Sequence, residues 1–145
     1  MANDIKKNYI FAKGTRKESV ARLRLYKEVV NLTDLKVKKG EIIVNGKSGL
    51  EYFNGAVLNA KLLEPLKVTN NLDKYAFTVK VAGGGQKGQL DAVVHALARA
   101  LSIVDEKNKA ILKKGGFLTR DARVRERRKV GMGGKARRRK QSPKR

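Results

Sequence analysis

Residues 75–104 run YAFTVKVAGGGQKGQLDAVVHALARALSIV, a strand pattern that passes through glycines into a helix pattern. Tyr75, Phe77, Val79 and Val81 alternate along a β-rich run and share one face of a strand. From Gln89 to Val104 the period changes. Leu90, Val93, Val94, Leu97, Leu101 and Val104 recur at the 3.6-residue spacing of an amphipathic helix. Ala92, Ala96 and Ala100 add helix propensity with little bulk. Such a stripe is buried most naturally against a sheet that carries its helices on one face.

The flanking segments support the same layout. Asp105–Lys114 reads as a second, polar helix ending at Gly115-Gly116. Tyr9–Lys13, a basic turn at Gly14–Lys17 and Ser19–Tyr26 read as a β-hairpin, in which Ala21, Leu23 and Leu25 alternate with Arg22 and Arg24. Glu41–Val44 is a short strand closed by the Asn45-Gly46 turn signal. Asn54 can cap a helix over Gly55–Leu63, and Pro65 disfavours its continuation through Glu64. The expectation is an α/β (α+β) domain of two layers: about four strands, with three helices on one face.

The charge is far from balanced. The 145 residues carry 35 Lys+Arg against 13 Asp+Glu, a net +22 that works against compaction unless a polyanion neutralises it. Residues 1–119 hold 22 basic and 11 acidic side chains, whereas residues 120–145 hold 13 and 2. Beyond Leu118 there is no aromatic residue, and Val124, Val130 and Met132 are the sizeable apolar groups. Such a segment buries too little to offset its ordering entropy, so the expected division is a globular domain, 1–119, and an extended basic tail, 120–145. The absence of cysteine excludes a disulfide framework and thiolate chemistry. No secretion signal is expected, since Met1-Ala2-Asn3-Asp4-Ile5-Lys6-Lys7 opens no apolar h-region, and no membrane span, since no run approaches 18 apolar residues.

Two glycine motifs imitate nucleotide sites. Gly83-Gly84-Gly85-Gln86-Lys87-Gly88 matches G-x-G-x-x-G, with Asp105 near the spacing of a ribose-binding acid. A dinucleotide fold needs that acid at the end of a second parallel strand, but Asp105-Glu106-Lys107-Asn108-Lys109 is hydrophilic and no strand follows. Asn45-Gly46-Lys47-Ser48 resembles the end of a Walker A loop, yet Glu41 stands where its first glycine belongs. Gly83, Gly84, Gly85 and Lys87 remain candidates for touching an RNA phosphate; a tight strand-to-helix connection is an equally good account. His95, the one histidine, reads as a partly exposed helix residue. No catalytic set, metal site or cofactor is expected.

A nucleic-acid binder remains. Arginine outnumbers lysine 9 to 4 in the tail, and a planar guanidinium holds phosphate oxygens bidentately. Contacts to backbone and shape are therefore expected, with affinity falling steeply in salt. Structured RNA offers clefts for such a tail, and Thr15, Arg16, Lys17, Arg22 and Arg24 are the body's candidate RNA contacts. A histone-like DNA binder is the rival on charge alone, and a nucleotide-dependent enzyme the rival on the glycine loop.

The run Gly115–Arg123, then Glu126-Arg127-Arg128-Lys129-Val130-Gly131, resembles the small-subunit ribosomal protein S-nine family of bacterial or organellar type. Gly14–Arg22, Val44-Asn45-Gly46, Val81–Gln89, Lys135–Arg139 and Lys144-Arg145 resemble it too, in the right order. The resemblance implies a non-enzymatic ribosomal protein with a ribosomal protein S5 domain 2-like fold. It would bind small-subunit rRNA in the subunit head, among neighbouring head proteins, in the cytoplasm or an organelle and away from membranes. Arg120, Arg123, Arg125, Arg127, Arg128 and Lys129 would follow rRNA phosphates, as would Lys135, Arg137, Arg138, Arg139 and Lys140. Lys144 and Arg145 would reach the anticodon stem-loop of peptidyl-site tRNA.

Overall fold

The computed structural model describes residues 9–28, 30–32 and 35–130. Strands β1 (Tyr9–Arg16) and β2 (Ser19–Tyr26) form a hairpin, followed by a small second sheet of β3 (Val30–Leu32) and β4 (Leu35–Val37). Strands β5 (Ile42–Val44) and β6 (Lys47–Ser48) lead into helices α1 (Gly49–Tyr52) and α2 (Ala56–Val68). Strand β7 (Ala76–Ala82) then precedes α3 (Gln86–Val104) and α4 (Glu106–Lys114). The main sheet has the order β1-β2-β7-β5-β6; β5 and β7 pair in parallel and the other pairs are antiparallel.

Alternation in the strands sorts side chains between two faces. On one face Leu23, Leu25, Phe77 and Val79 join Leu90, Leu97 and Leu101 of α3, Leu62 and Leu66 of α2, and Leu112 of α4 in a single core. Each fully buried side chain of this size contributes roughly 1.5–3 kcal/mol relative to exposure. On the other face Tyr26, Val37, Ile43 and Ala76 form a smaller cluster where β4 meets the sheet.

The strand-to-helix reading of residues 75–104 holds, and the details of the fold differ from the expected layout at several places. Helix α3 starts at Gln86, three residues early, so Gly88 lies inside it. Ala92, Ala96 and Ala100 are fully buried rather than bystanders. At Gly14 an added Cβ would overlap the Ala92 carbonyl oxygen, so glycine and alanine let α3 lie directly on β1. Gly14, Thr15 and Arg16 accordingly belong to β1, and the turn is Lys17-Glu18 alone, with Lys17 at φ 51°. Pro65 does not stop α2, which continues to Val68, because burial of Leu62, Pro65 and Leu66 outweighs the hydrogen bond the proline omits. Gly55, not Asn54, occupies the N-cap of α2, at φ 133°. Finally, the main sheet has five strands rather than about four, and α1 brings the helices to four among the described residues.

Candidate nucleic-acid interface

The glycine loop is built into the fold. Gly83 and Gly84 have φ of 74° and 64°, and a Cβ on either would run into the Glu18–Ser19 backbone or the Ser19 hydroxyl. Buried Ser19 donates from Oγ to the Gly83 carbonyl at 3.1 Å, and Gln89 Nε2 donates to the same oxygen at 3.1 Å. Tyr52 donates its hydroxyl to Gln89 Oε1 at 2.9 Å. Asn45, at φ 49°, spends both ends of its side-chain amide on the Val81 backbone. Ser19 ties the loop to the β1–β2 turn, and that close approach accounts for Gly83 and Gly84 without a nucleotide. Gly85 and Lys87 are exposed where α3 begins, with open space around Gly85. Asp105 caps α4, its carboxylate accepting from the Lys107 N–H at 3.0 Å, and is thereby committed elsewhere than to a ribose. The Asn45-Gly46 element is a hairpin turn with both residues at positive φ, not a phosphate loop.

A second cluster roots the basic segment. The Arg16 side chain is 13% exposed, with Nη2 3.0 Å from Asp121 Oδ2 and Nε 3.6 Å from Asp91 Oδ2. Its Nη1 also donates to the Arg123 carbonyl at 2.7 Å. Asp91 in turn meets Lys61 Nζ at 2.7 Å. Arg120 Nε donates to Thr15 Oγ1 at 2.8 Å. Arg16 and Thr15 therefore hold the chain at 120–123 to β1. The Arg123 side chain and N–H both donate to the Asp121 carboxylate and, with Arg16, hold its pKa well below the usual carboxylate range. His95, half-buried on α3, packs toward this segment. Burial and the nearby charges of Arg99 and Arg120 lower its pKa, against a hydrogen bond to the Leu118 backbone.

Beyond the root, residues 124–129 have no regular structure and are exposed, with Arg125, Arg127, Arg128 and Lys129 among them. Lys135, Arg137, Arg138, Arg139, Lys140, Lys144 and Arg145 lie outside the described residues.

The third basic element is the sheet face away from the helices. Arg22 and Arg24 are exposed on it, as the alternation in β2 predicts, and Lys17 is exposed at the hairpin tip. Pairing adds what β2 alone does not reveal: Lys13 is directly opposite Arg22, and Arg22 directly opposite Lys80. Phe11 is opposite Arg24, whose guanidinium lies 4.9 Å from the Tyr9 ring centroid. Lys13, Lys80 and Phe11 escape a reading strand by strand because their significance lies in register. The alternation of Phe11 and Lys13 with Ala12 and Gly14 was the available signal.

Among the described residues no group of three His, Cys, Asp or Glu could hold a metal, and no helix is long and apolar enough to cross a membrane. The family model described as ribosomal protein S9/S16 matches residues 14–145. The chain is 42% identical over 128 residues to the small ribosomal subunit protein uS9 of Maridesulfovibrio salexigens, covering 88% of this chain and 91% of that protein.

Proposed function

The chain belongs to the ribosomal protein S9/S16 family, in its bacterial type, and from that premise we propose how its basic surfaces divide their work. It is a structural, non-enzymatic component of the small ribosomal subunit, and its mixed α/β fold agrees with the S5 domain 2-like architecture. The finer reading is that residues 1–119 dock on small-subunit rRNA in the subunit head. Residues 120–145 then run among rRNA phosphates toward peptidyl-site tRNA, in a cytoplasmic ribosome.

The observation that carries this reading is the root of the basic segment. Two of the chain's 13 acidic residues, Asp91 and Asp121, flank Arg16 and, together with Thr15, tie down residues 120–123. Immediately beyond, Arg125, Arg127, Arg128 and Lys129 follow within five residues, without regular structure. A fixed origin followed by dense cations suits a segment delivered in one direction into a polyanion. Arg16 acts in this arrangement as an internal anchor. Phosphate binding falls to the exposed arginines.

On the positions that match the family, Lys144 and Arg145 form the tRNA-contacting pair. Deleting both should leave incorporation into small subunits intact, as read by cosedimentation, and should speed dissociation of tRNA from the peptidyl site. Incorporation with unchanged tRNA dissociation would remove the tRNA role; failure to cosediment with small subunits in the intact protein would remove the rRNA role.

A further inference from the structure

We propose that the open face of the sheet is a platform for an unpaired segment of RNA, with Lys13, Arg22 and Lys80 binding its phosphates and Phe11 stacking on a base. The proposal rests on the RNA-binding reading above and identifies the kind of RNA that the body takes.

Like charges directly opposite one another on adjacent strands destabilise a sheet. Here three stand in one register row, Lys13, Arg22 and Lys80, across β1, β2 and β7. Strands lie about 4.8 Å apart, so the row places three cations across roughly 10 Å. All three are exposed, and among the described residues none makes an ion pair with a carboxylate. Asp91 and Asp121, the carboxylates in ion pairs among the described residues, are engaged by Arg16, Lys61 and Arg123. A row of cations left unneutralised in the folded protein is complementary to closely spaced phosphates.

The next row distinguishes the kind of polyanion. Phe11 is 52% exposed in the middle of a strand, next to Arg24 across the ladder. Arg24 is itself steadied by the Tyr9 ring, and Tyr9 packs with Tyr26 at 5.8 Å between centroids. One end of this face is closed by Val37 of the second sheet, so the exposed surface runs from Phe11 toward the cation row. A duplex hides the faces of its bases and offers phosphates and 2′-hydroxyls, whereas unpaired bases can stack on an aromatic ring. Cations beside an exposed ring therefore fit unpaired RNA.

The test uses the full chain, with a single-stranded RNA oligonucleotide and an RNA duplex of equal length as probes. Three variants are compared: K13Q/R22Q/K80Q, F11L, and K107Q/K109Q/K113Q on the exposed side of α4 as a charge-matched control. For unpaired RNA the sheet variant should lower the slope of log affinity against log salt by about 2, from three lost phosphate contacts, and the control by well under 1. F11L should weaken unpaired RNA roughly ten-fold and leave the duplex unchanged. Without RNA, K13Q/R22Q/K80Q should melt at or above the temperature of the unaltered protein, since repulsion has been removed. Equal losses in the sheet and α4 variants would overturn the platform, as would a lowered melting temperature or an F11L effect equal on both RNAs. Loss of rRNA preference over duplex DNA in the unaltered protein would defeat the broader reading, whatever the variants did.

Discussion

At Gly14 the absence of a side chain is required by space rather than by backbone angle. A Cβ there would overlap the Ala92 carbonyl oxygen and lie 2.6 Å from the Ala96 nitrogen, both backbone atoms of α3. Neither can yield without moving the helix away from β1. Gly14→Ala is therefore expected to destabilise the protein by about 1–3 kcal/mol, the range for forcing a methyl group into a packed core. Urea unfolding with an unchanged m-value would register it. Gly46 presents the opposite case, with φ at 84° and open space around it, so its requirement is conformational. Sequence identifies both as glycines beside turn-forming residues. The distinction depends on where α3 passes, which no local pattern near Gly14 contains.

What could be read from local pattern follows from element length and the strength of its alternation. Strand β2 buries Ala21, Leu23 and Leu25 against exposed Arg22 and Arg24, and α3 repeats its stripe from Leu90 to Val104; both are legible. Strands β3 and β4 have three residues each, too few for a period to emerge. Helix α2 misleads because Pro65 is a local stop signal overridden by tertiary burial, a balance invisible without the core. The site divides in the same way. The exposure of Arg22 and Arg24 is local and was legible, whereas the engagement of Arg16 with Asp121 spans 105 positions of sequence, by the difference of their numbers. Helix α4 illustrates what one capping residue contributes. Asp105 accepts from the Lys107 N–H, Glu106 sits in the first turn, and Lys113 and Lys114 lie in the last, all favourable to the helix dipole. Asp105→Ala is expected to cost about 0.5–2 kcal/mol in chemical denaturation, and Asp105→Ser to recover most of it. A null effect of the alanine would assign the helix boundary to Leu112 packing alone.

For the chain taken entire, the net +22 has two consequences of opposite sign in salt. Screening weakens self-repulsion and so should favour the folded state, yet the same ions would compete with the proposed phosphate contacts and should weaken RNA binding. Removing residues 120–145 separates the two. The truncated chain retains Phe117 and Leu118, which pack on the main core, and Arg16 retains Asp91 at 3.6 Å. Its folded state should therefore persist, with a surplus of 22 basic over 11 acidic residues in place of 35 over 13. Each lost phosphate contact lowers the salt slope by roughly 0.7–0.9, so a slope reduced by several units is expected. The opposing term is loss of the contacts at Thr15 and Arg16, which should lower thermal stability slightly even as repulsion declines. Salt titrations of RNA affinity and of melting temperature, on both chains, read these terms separately. A smaller affinity slope together with retained preference for structured RNA over duplex would place selectivity in the body and phosphate grip in the tail. An unchanged slope would show that the 13 tail cations make no phosphate contacts, and the basic segment would then have no role in RNA binding.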